Sequence, residues 1–217
     1  MRVEFAGQHF EARPAGTLWW PARRWLIVAD LHLGKSARMA ARGGALLPPH
    51  EDHDTLQRLK AEMEALPVAR LISLGDAFDD AQAPEAMRET DRALLAELAG
   101  RCDWTWVTGN HDHAATPGFG HIISEISEES LILRHIAGEG ADISGHYHPK
   151  ARVGGATQPA FLIGRDHLIL PAFGTYTGGL DCDGSVLSGL VGPGLALLTG
   201  KTLIARPLGL PSRRRRA

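Results

Sequence analysis

The stretch WLIVADLHLG (25–34) joins an uninterrupted apolar run to a short polar cluster. The run at 25–29 is short and bounded by polar residues, which is typical of a strand buried on both faces. Asp30 and His32 follow it directly. Because ligands bind at the carboxyl ends of strands in α/β sheets, this junction predicts a functional site at the end of a buried strand.

The same arrangement recurs along the chain. Three further clusters combine glycine with a carboxylate, an amide or an imidazole, namely Gly75-Asp76, Gly109-Asn110-His111-Asp112 and Gly145-His146-Tyr147-His148. Oxygen and imidazole donors without a thiolate suit divalent manganese, iron, zinc or cobalt. The clusters therefore predict a metal site assembled from several strand ends.

The remaining pattern predicts a layered α/β protein. Leucines and methionines recur at helical spacing over 49–66 and 84–99, between the apolar runs of the first half. The second half predicts short strands at 121–126, 131–136, 151–154, 160–163, 167–170 and 196–207. We interpret the two halves as two sheets of one domain spanning 1–212, followed by a basic tail at 213–217.

Composition excludes several classes of protein. The 217 residues are 44% hydrophobic and carry a formal charge of −2, which becomes −6 without the four arginines at 213–216, so net charge alone indicates no basic nucleic-acid face. Two cysteines provide neither a disulfide framework nor a thiolate zinc site. The start MRVEFAGQHFEARP lacks the pattern of a signal peptide, and no apolar run is long enough to cross a membrane. A cytoplasmic protein without a membrane partner is expected.

The donor types also suggest a reaction. Two divalent ions held about 3.5–4 Å apart clamp a phosphate and lower the pKa of a bridging water, which then attacks the phosphorus. One carboxylate is expected to bridge the two ions. Asp76 is the candidate, because it ends a central strand.

At this point the chain resembles the calcineurin-like metallophosphoesterase superfamily, through ADLHLG (29–34), LGDAFDD (74–80), TGNHD (108–112) and SGHYH (144–148). The resemblance implies a four-layer αββα sandwich of two mixed β-sheets flanked by helices. It also implies that His111 faces the substrate phosphate and stabilises or protonates the leaving oxygen. The implied ligands are Asp30, His32 and His148 on one metal, Asn110 and His146 on the other, and Asp76 on both.

The family has one more histidine ligand between its GNHD and GHxH motifs. His113, His121 and His135 all lie in that interval. We prefer His135, which stands in phase with Leu131 and Leu133 at the end of an apolar run. His121 opens a predicted strand instead, and Ile136 stands where many relatives have a glycine, so both assignments stay open to test.

Other polar residues near the motifs have two interpretations. Lys35 is either a contact to the substrate phosphate or an exposed lysine. Asp79 and Asp112 either orient ligand imidazoles or are solvated loop carboxylates. Four residues near the predicted start of the first long helix are interpreted as surface or capping groups: His50, Glu51, Asp52 and His53.

A closer resemblance suggests the substrate. ADLHLGKS, GHYHP and LPAFGTYTGGLD (170–181) resemble small bacterial metallophosphoesterases of ligase-associated DNA-repair gene clusters, over residues 3–208. This implies a manganese-dependent phosphodiesterase that acts as an endonuclease on single-stranded DNA, forms a homodimer and is associated functionally with a DNA ligase and a helicase. The alternatives are a hydrolase of small nucleotides or nucleotide-sugar pyrophosphates and a non-catalytic scaffold.

Overall fold

The computed structural model describes residues 1–41, 43, 48, 50–110 and 118–209, without the side chains of 37 and 41. Its described strands form two mixed sheets. The first sheet has seven strands in chain order: β1 Arg2–Phe5, β2 Gln8–Ala12, β3 Leu18–Trp20, β4 Trp25–Val28, β5 Arg70–Leu74, β6 Asp103–Val107 and β7 His121–Ile123. Strands β1 to β4 pair antiparallel, and β4 to β7 pair parallel.

The second sheet contains the remaining described strands: β8 Glu125–Glu128, β9 Leu131–Arg134, β10 Asp142–Ser144, β11 Lys150–Val153, β12 Ala156–Ile163, β13 His167–Ile169, β14 Gly194–Leu198 and β15 Ile204–Leu208. Their order is β15-β14-β12-β13-β10-β9-β8, and β11 pairs with β12. The described helices are α1 Lys35–Ala41, α2 Glu51–Glu64, α3 Ala83–Ala86, α4 Glu89–Ala99 and α5 Ser185–Val191.

Three clusters of buried apolar side chains fill the spaces between the layers. Leu26 and Val28 of β4 pack with residues of α2 and α4, whereas Ile27 between them packs with residues of the second sheet. This alternation follows from the two-residue period of a strand. A third cluster joins the second sheet to Leu187 and Val191 of α5. The αββα sandwich of two mixed sheets is thus confirmed, with the strand at 25–28 buried on both faces.

Several predicted elements have different bounds. The helix predicted at 84–99 is two helices, because Met87 and Arg88 are extended and the Arg88 side chain donates to Asp91 at the start of α4. The strand predicted at 121–126 divides between the two sheets, and the one at 196–207 is the antiparallel pair β14 and β15. None of the described helices has the length and apolarity required to cross a membrane.

Candidate metal centre

The polar clusters lie at the carboxyl ends of strands from both sheets. Asp30 follows β4, Asp76 follows β5 and Asn110 follows β6 in the first sheet. His135 follows β9, and His146 and His148 follow β10, in the second sheet. Because β4 to β6 run parallel, and β9 runs parallel to β10, the ends lie together within each sheet. His135 lies 3.4 Å from Asp76 and His148 lies 3.6 Å from Asp30, so the ends of both sheets meet at one side of the sandwich.

Five of these side chains, together with His32, form two groups. In each group, one donor atom per residue lies within 4.8 Å of the others. The first group is Asp30, His32 and His148; the second is Asp76, His135 and His146. Each group combines a carboxylate with two imidazoles, which is a donor set suited to divalent transition metals.

The distances between donors match those expected around an ion. Two ligands bound at about 2.1 Å lie about 3.0–3.4 Å apart in octahedral or tetrahedral geometry. The Nε2 atoms of His32 and His148 are 3.2 Å apart, as are His135 Nε2 and His146 Nδ1. His135 Nε2 is 3.4 Å from Asp76 Oδ2. The two groups therefore have the spacing of coordination shells.

Neighbouring acceptors orient two of the imidazoles. His135 Nδ1 lies 3.0 Å from the carbonyl oxygen of Leu74, which can only accept, so this nitrogen carries the proton. His32 Nδ1 lies 3.1 Å from Asp79 Oδ1 in the same way. Asp79 is thus a partner of a candidate ligand, and Arg38 pairs with its other oxygen. Such contacts fix the tautomer of a metal-binding histidine.

The orientation of His135 indicates a cation. With the proton on Nδ1, neutral His135 directs the lone pair of Nε2 at Asn110 Oδ1, 2.9 Å away, and toward the Asp76 carboxylate. All of these are acceptors, and their repulsion is relieved either by a proton on Nε2, which then donates to them, or by a metal ion that takes the place of that proton. The residues therefore fit a bound divalent ion.

The pKa values of His135 and His146 are shifted by burial and by the charged groups around them. Burial lowers the pKa of His135, but the hydrogen bond to Asp76 and the charge of Asp30 outweigh it, so the net shift is upward. Burial lowers the pKa of His146, and the nearby charge on His135 lowers it further. Negative charge that favours a proton on His135 also favours a metal ion, and the two compete for the same lone pair.

The backbone at the centre is unusual. Non-glycine residues rarely have positive φ, and such strain clusters at functional sites. Five of the nine described cases belong to the two groups: Asp30 (52°), His32 (46°), Asp76 (44°), His146 (68°) and His148 (45°). Gly75 and Gly145 allow close approach, because a Cβ there would lie 2.2 Å from His135 Nδ1 and 2.6 Å from Asp30 Oδ2.

Not every sequence candidate lies in the two groups. The side chain of His121 is 74% exposed and lies 3.5 Å from Asp103, away from the groups, whereas His135 is buried among them. Asn110 reaches the second group through Oδ1. Lys35 begins α1 and is half-buried. His111, Asp112 and His113 lie outside the described residues.

The interpretation of Glu51 and Asp52 as surface or capping groups is wrong. Both are buried, and they accept hydrogen bonds from the backbone N–H groups of Ser36 (2.8 Å) and Gly34 (2.7 Å), just beyond the first motif. Burial raises the pKa of Asp52 to about 6, while the bond from Gly34 opposes the shift. The signal was available, because Asp52 lies one turn before Leu56 on the buried stripe of α2.

Comparison with known proteins finds similarity to solved structures. No protein-family model matches the chain, and no curated protein matches it. A crystal structure of the Pseudomonas putida nuclease MPE is similar with a TM-score of 0.75 and 27% sequence identity, covering 96% of this chain and 99% of that one. The similarity supports a metallophosphoesterase-like fold, and the two donor groups fit two divalent metal ions.

Proposed function

We propose that this protein is a manganese-dependent phosphodiesterase that cleaves single-stranded DNA internally, as a cytoplasmic DNA-repair endonuclease. The observation that carries the proposal is the pair of carboxylate–imidazole groups at coordination spacing. The structural similarity to a nuclease supports the substrate class. The sequence resemblance to the ligase-associated endonuclease PdeM supports single-stranded DNA, action as a homodimer, and association with a ligase and a helicase.

Each residue has a part in this proposal. Asp30, His32 and His148 would hold one ion, and Asn110, His135 and His146 the other, with Asp76 between them. Bound divalent ions would polarise the phosphodiester and supply a water of lowered pKa as nucleophile. Asp79 and the carbonyl of Leu74 contact Nδ1 of His32 and His135, which would leave Nε2 of each imidazole available to bind an ion.

The substrate contacts are assigned from sequence position. His111, next to Asn110, would stabilise or protonate the leaving oxygen, and Asn110 would contribute to holding the phosphate. Lys35 would contact a phosphate oxygen from the first turn of α1, which begins directly after the first motif.

The test uses chelator-treated protein reloaded with manganese, cobalt or zinc. Circular single-stranded DNA, a nucleotide-sugar pyrophosphate and a small activated diester are supplied in parallel. We expect manganese to give cleavage of the circle and hydrolysis of the diester. Turnover of the pyrophosphate alone would replace the proposal with the nucleotide-sugar alternative, and no turnover of any substrate would favour the scaffold.

A matched pair of carboxylates controls for folding. Asp76→Asn should abolish hydrolysis, because it removes the charge shared by the two ions. Asp166→Asn changes a carboxylate that is 61% exposed and should have no effect. Equal activity of both variants would contradict the assigned centre.

A matched pair of histidines tests the remaining ligand. His135→Ala should remove one ion and nearly all activity, since its imidazole lies in the second group. His121→Ala should leave metal content and activity unchanged. The reverse pattern would assign the position to His121.

A further inference from the structure

One limb of the loop at 173–180 is fixed to the first motif. The backbone N–H groups of Phe173 and Gly174 donate to the carbonyl oxygens of Ala29 (2.8 Å) and Asp30 (3.0 Å). Gly174 is packed so closely that a Cβ would lie 2.2 Å from the carbonyl oxygen of Leu31. This limb therefore lies directly against the backbone that carries Asp30.

The same limb is also fixed to α2. Thr175 Oγ1 donates to Asp54 (2.6 Å), and its backbone N–H donates to Thr55 Oγ1 (3.1 Å). Arg58 Nη2 donates to the carbonyl oxygen of Phe173 (2.7 Å). The position of the chain just before residue 176 is thus determined by several contacts.

The other limb is fixed to the fourth motif. Lys150 Nζ donates to the carbonyl oxygen of Thr177 (2.9 Å), and the Lys150 backbone N–H donates to that of Leu180 (2.8 Å). A Cβ on Gly179 would lie 2.1 Å from the carbonyl oxygen of His148. The two limbs therefore join the segments that carry Asp30 and His148, which belong to the same donor group.

Tyr176 stands between the two fixed limbs. It is 48% exposed, although its neighbours on both sides are held by hydrogen bonds. Its φ of 60° is a left-handed conformation that tyrosine rarely adopts. Tyr176 is thus an exposed aromatic residue in a strained backbone, in a loop whose two limbs contact the segments that carry Asp30 and His148, and such strain clusters at functional sites.

Tyr176 also lines a cavity of about 220 Å³ with Arg58, Pro159, Pro171, Phe173 and Thr177. Small-molecule sites are usually about 300–1,000 Å³, so this space suits one ring system better than a whole dinucleotide. Phe173 is buried and the Arg58 guanidinium lies 4.6 Å over its ring, so Tyr176 provides the exposed aromatic surface beside the cavity. A flat aromatic group can stack on such an exposed ring.

We infer that Tyr176 stacks on the unpaired nucleobase of a nucleotide next to the scissile phosphate, and that the adjoining cavity receives that base. The inference rests on the proposed function. Stacking on an aromatic side chain tolerates any base but requires that the base be unpaired. It therefore provides a structural reason for a preference for single strands, in a protein whose net charge indicates no general attraction to DNA.

The test compares p-nitrophenyl diesters with and without a base in the manganese-loaded enzyme. The p-nitrophenyl diesters of thymidine, tested as 3′ and 5′ isomers, carry a base, and methyl p-nitrophenyl phosphate carries none. Tyr176→Ala should lower kcat/KM for at least one thymidine isomer by about 5- to 100-fold, the range for loss of one stacked base. Hydrolysis of the methyl ester should change less than twofold.

Further variants separate stacking from folding. Tyr176→Phe and Tyr176→Trp should retain the preference for the thymidine ester. Tyr176→Gly removes the ring at a backbone conformation that glycine adopts freely, so it should fold and behave like Tyr176→Ala. Ile204→Ala on β15, at a residue 50% exposed, should change nothing.

The outcomes distinguish the two proposals. If the wild-type enzyme hydrolyses neither diester nor DNA, the proposed function fails. If it hydrolyses them, but Tyr176→Ala and Tyr176→Gly keep the full preference for thymidine or lose both esters equally, the stacking role is wrong and the phosphodiesterase proposal stands.

Discussion

The two sheets contribute different chemistry to the candidate centre. The first sheet provides both carboxylates and the amide, from the ends of β4, β5 and β6. The second sheet provides three of the four imidazoles, from the ends of β9 and β10. Each donor group takes residues from both sheets. The centre is therefore complete only when the sheets are packed together, and an ion in either group would connect them.

The largest effect is expected from His111, which follows Asn110 in the sequence. Proton donation or charge stabilisation at the leaving oxygen is worth about 10²–10⁴ in rate. His111→Ala should retain both ions and lose most diester hydrolysis, with a smaller loss for nitrophenolate than for poor leaving groups. Metal analysis and rates on diesters of graded leaving-group pKa provide the measurement, and loss of an ion would make His111 a ligand instead.

If bound ions connect the two sheets, they should raise the free energy of unfolding. A ligand that binds only the folded protein, at 100 to 1,000 times its Kd, adds about 2.7–4.1 kcal/mol to the free energy of unfolding. Manganese should therefore raise the Tm of chelator-treated protein. His148→Ala and Asp30→Asn, from different sheets, should each reduce that gain, and an unchanged gain in both would refute the cross-link.

A smaller effect on manganese affinity is expected from Asp79, which contacts a candidate ligand rather than an ion. Asp79 accepts from His32, and removing such a partner typically lowers metal affinity or activity about 10- to 100-fold. Asp79→Asn should weaken manganese binding by this factor, measured by titration calorimetry. Glu125→Gln, on the edge strand β8, is the control and should bind manganese normally.

The smallest effect concerns Asp52, which is buried on the helix side of the first sheet. Burial raises its pKa from 3.8 to about 6, so the folded protein holds this proton more tightly than the unfolded chain does. Stability is then lost as the pH rises from about 4 to 6, and the penalty is fully present above 6. In chelator-treated protein, the free energy of unfolding of Asp52→Asn should rise by about 2 kcal/mol relative to that of wild type as the pH increases from 4.5 to 7.5. A pH-independent difference would contradict the shift.

The parts of the fold that sequence predicted are those with local signals. The apolar runs of β4, β5 and β6 and the polar residues after them lie close together in the sequence, so the strand ends could be identified. Strands β1 and β2 alternate polar and buried apolar residues over only four and five positions, so a strand signal was present but short, and β3 has only three residues. The interruption between α3 and α4 depends on Arg88 reaching Asp91.

In the candidate site, too, features with a local sequence signal could be predicted, and features that depend on distant contacts could not. The donor residues follow strand ends and carry a chemical signature that is visible in the sequence. The burial of Glu51 and the position of the 173–180 loop depend on backbone hydrogen bonds between segments distant in the chain, and the sequence does not specify those partners. Donor types are therefore easier to predict than the contacts that orient them.

Anomalous scattering from crystals of the manganese-loaded protein would locate the two ions proposed between the sheets. We expect two peaks per chain, one among Asp30, His32 and His148 and one among Asp76, His135 and His146, with Asn110 beside the second. A single peak, or peaks only elsewhere while these side chains stay in place, would contradict this expectation.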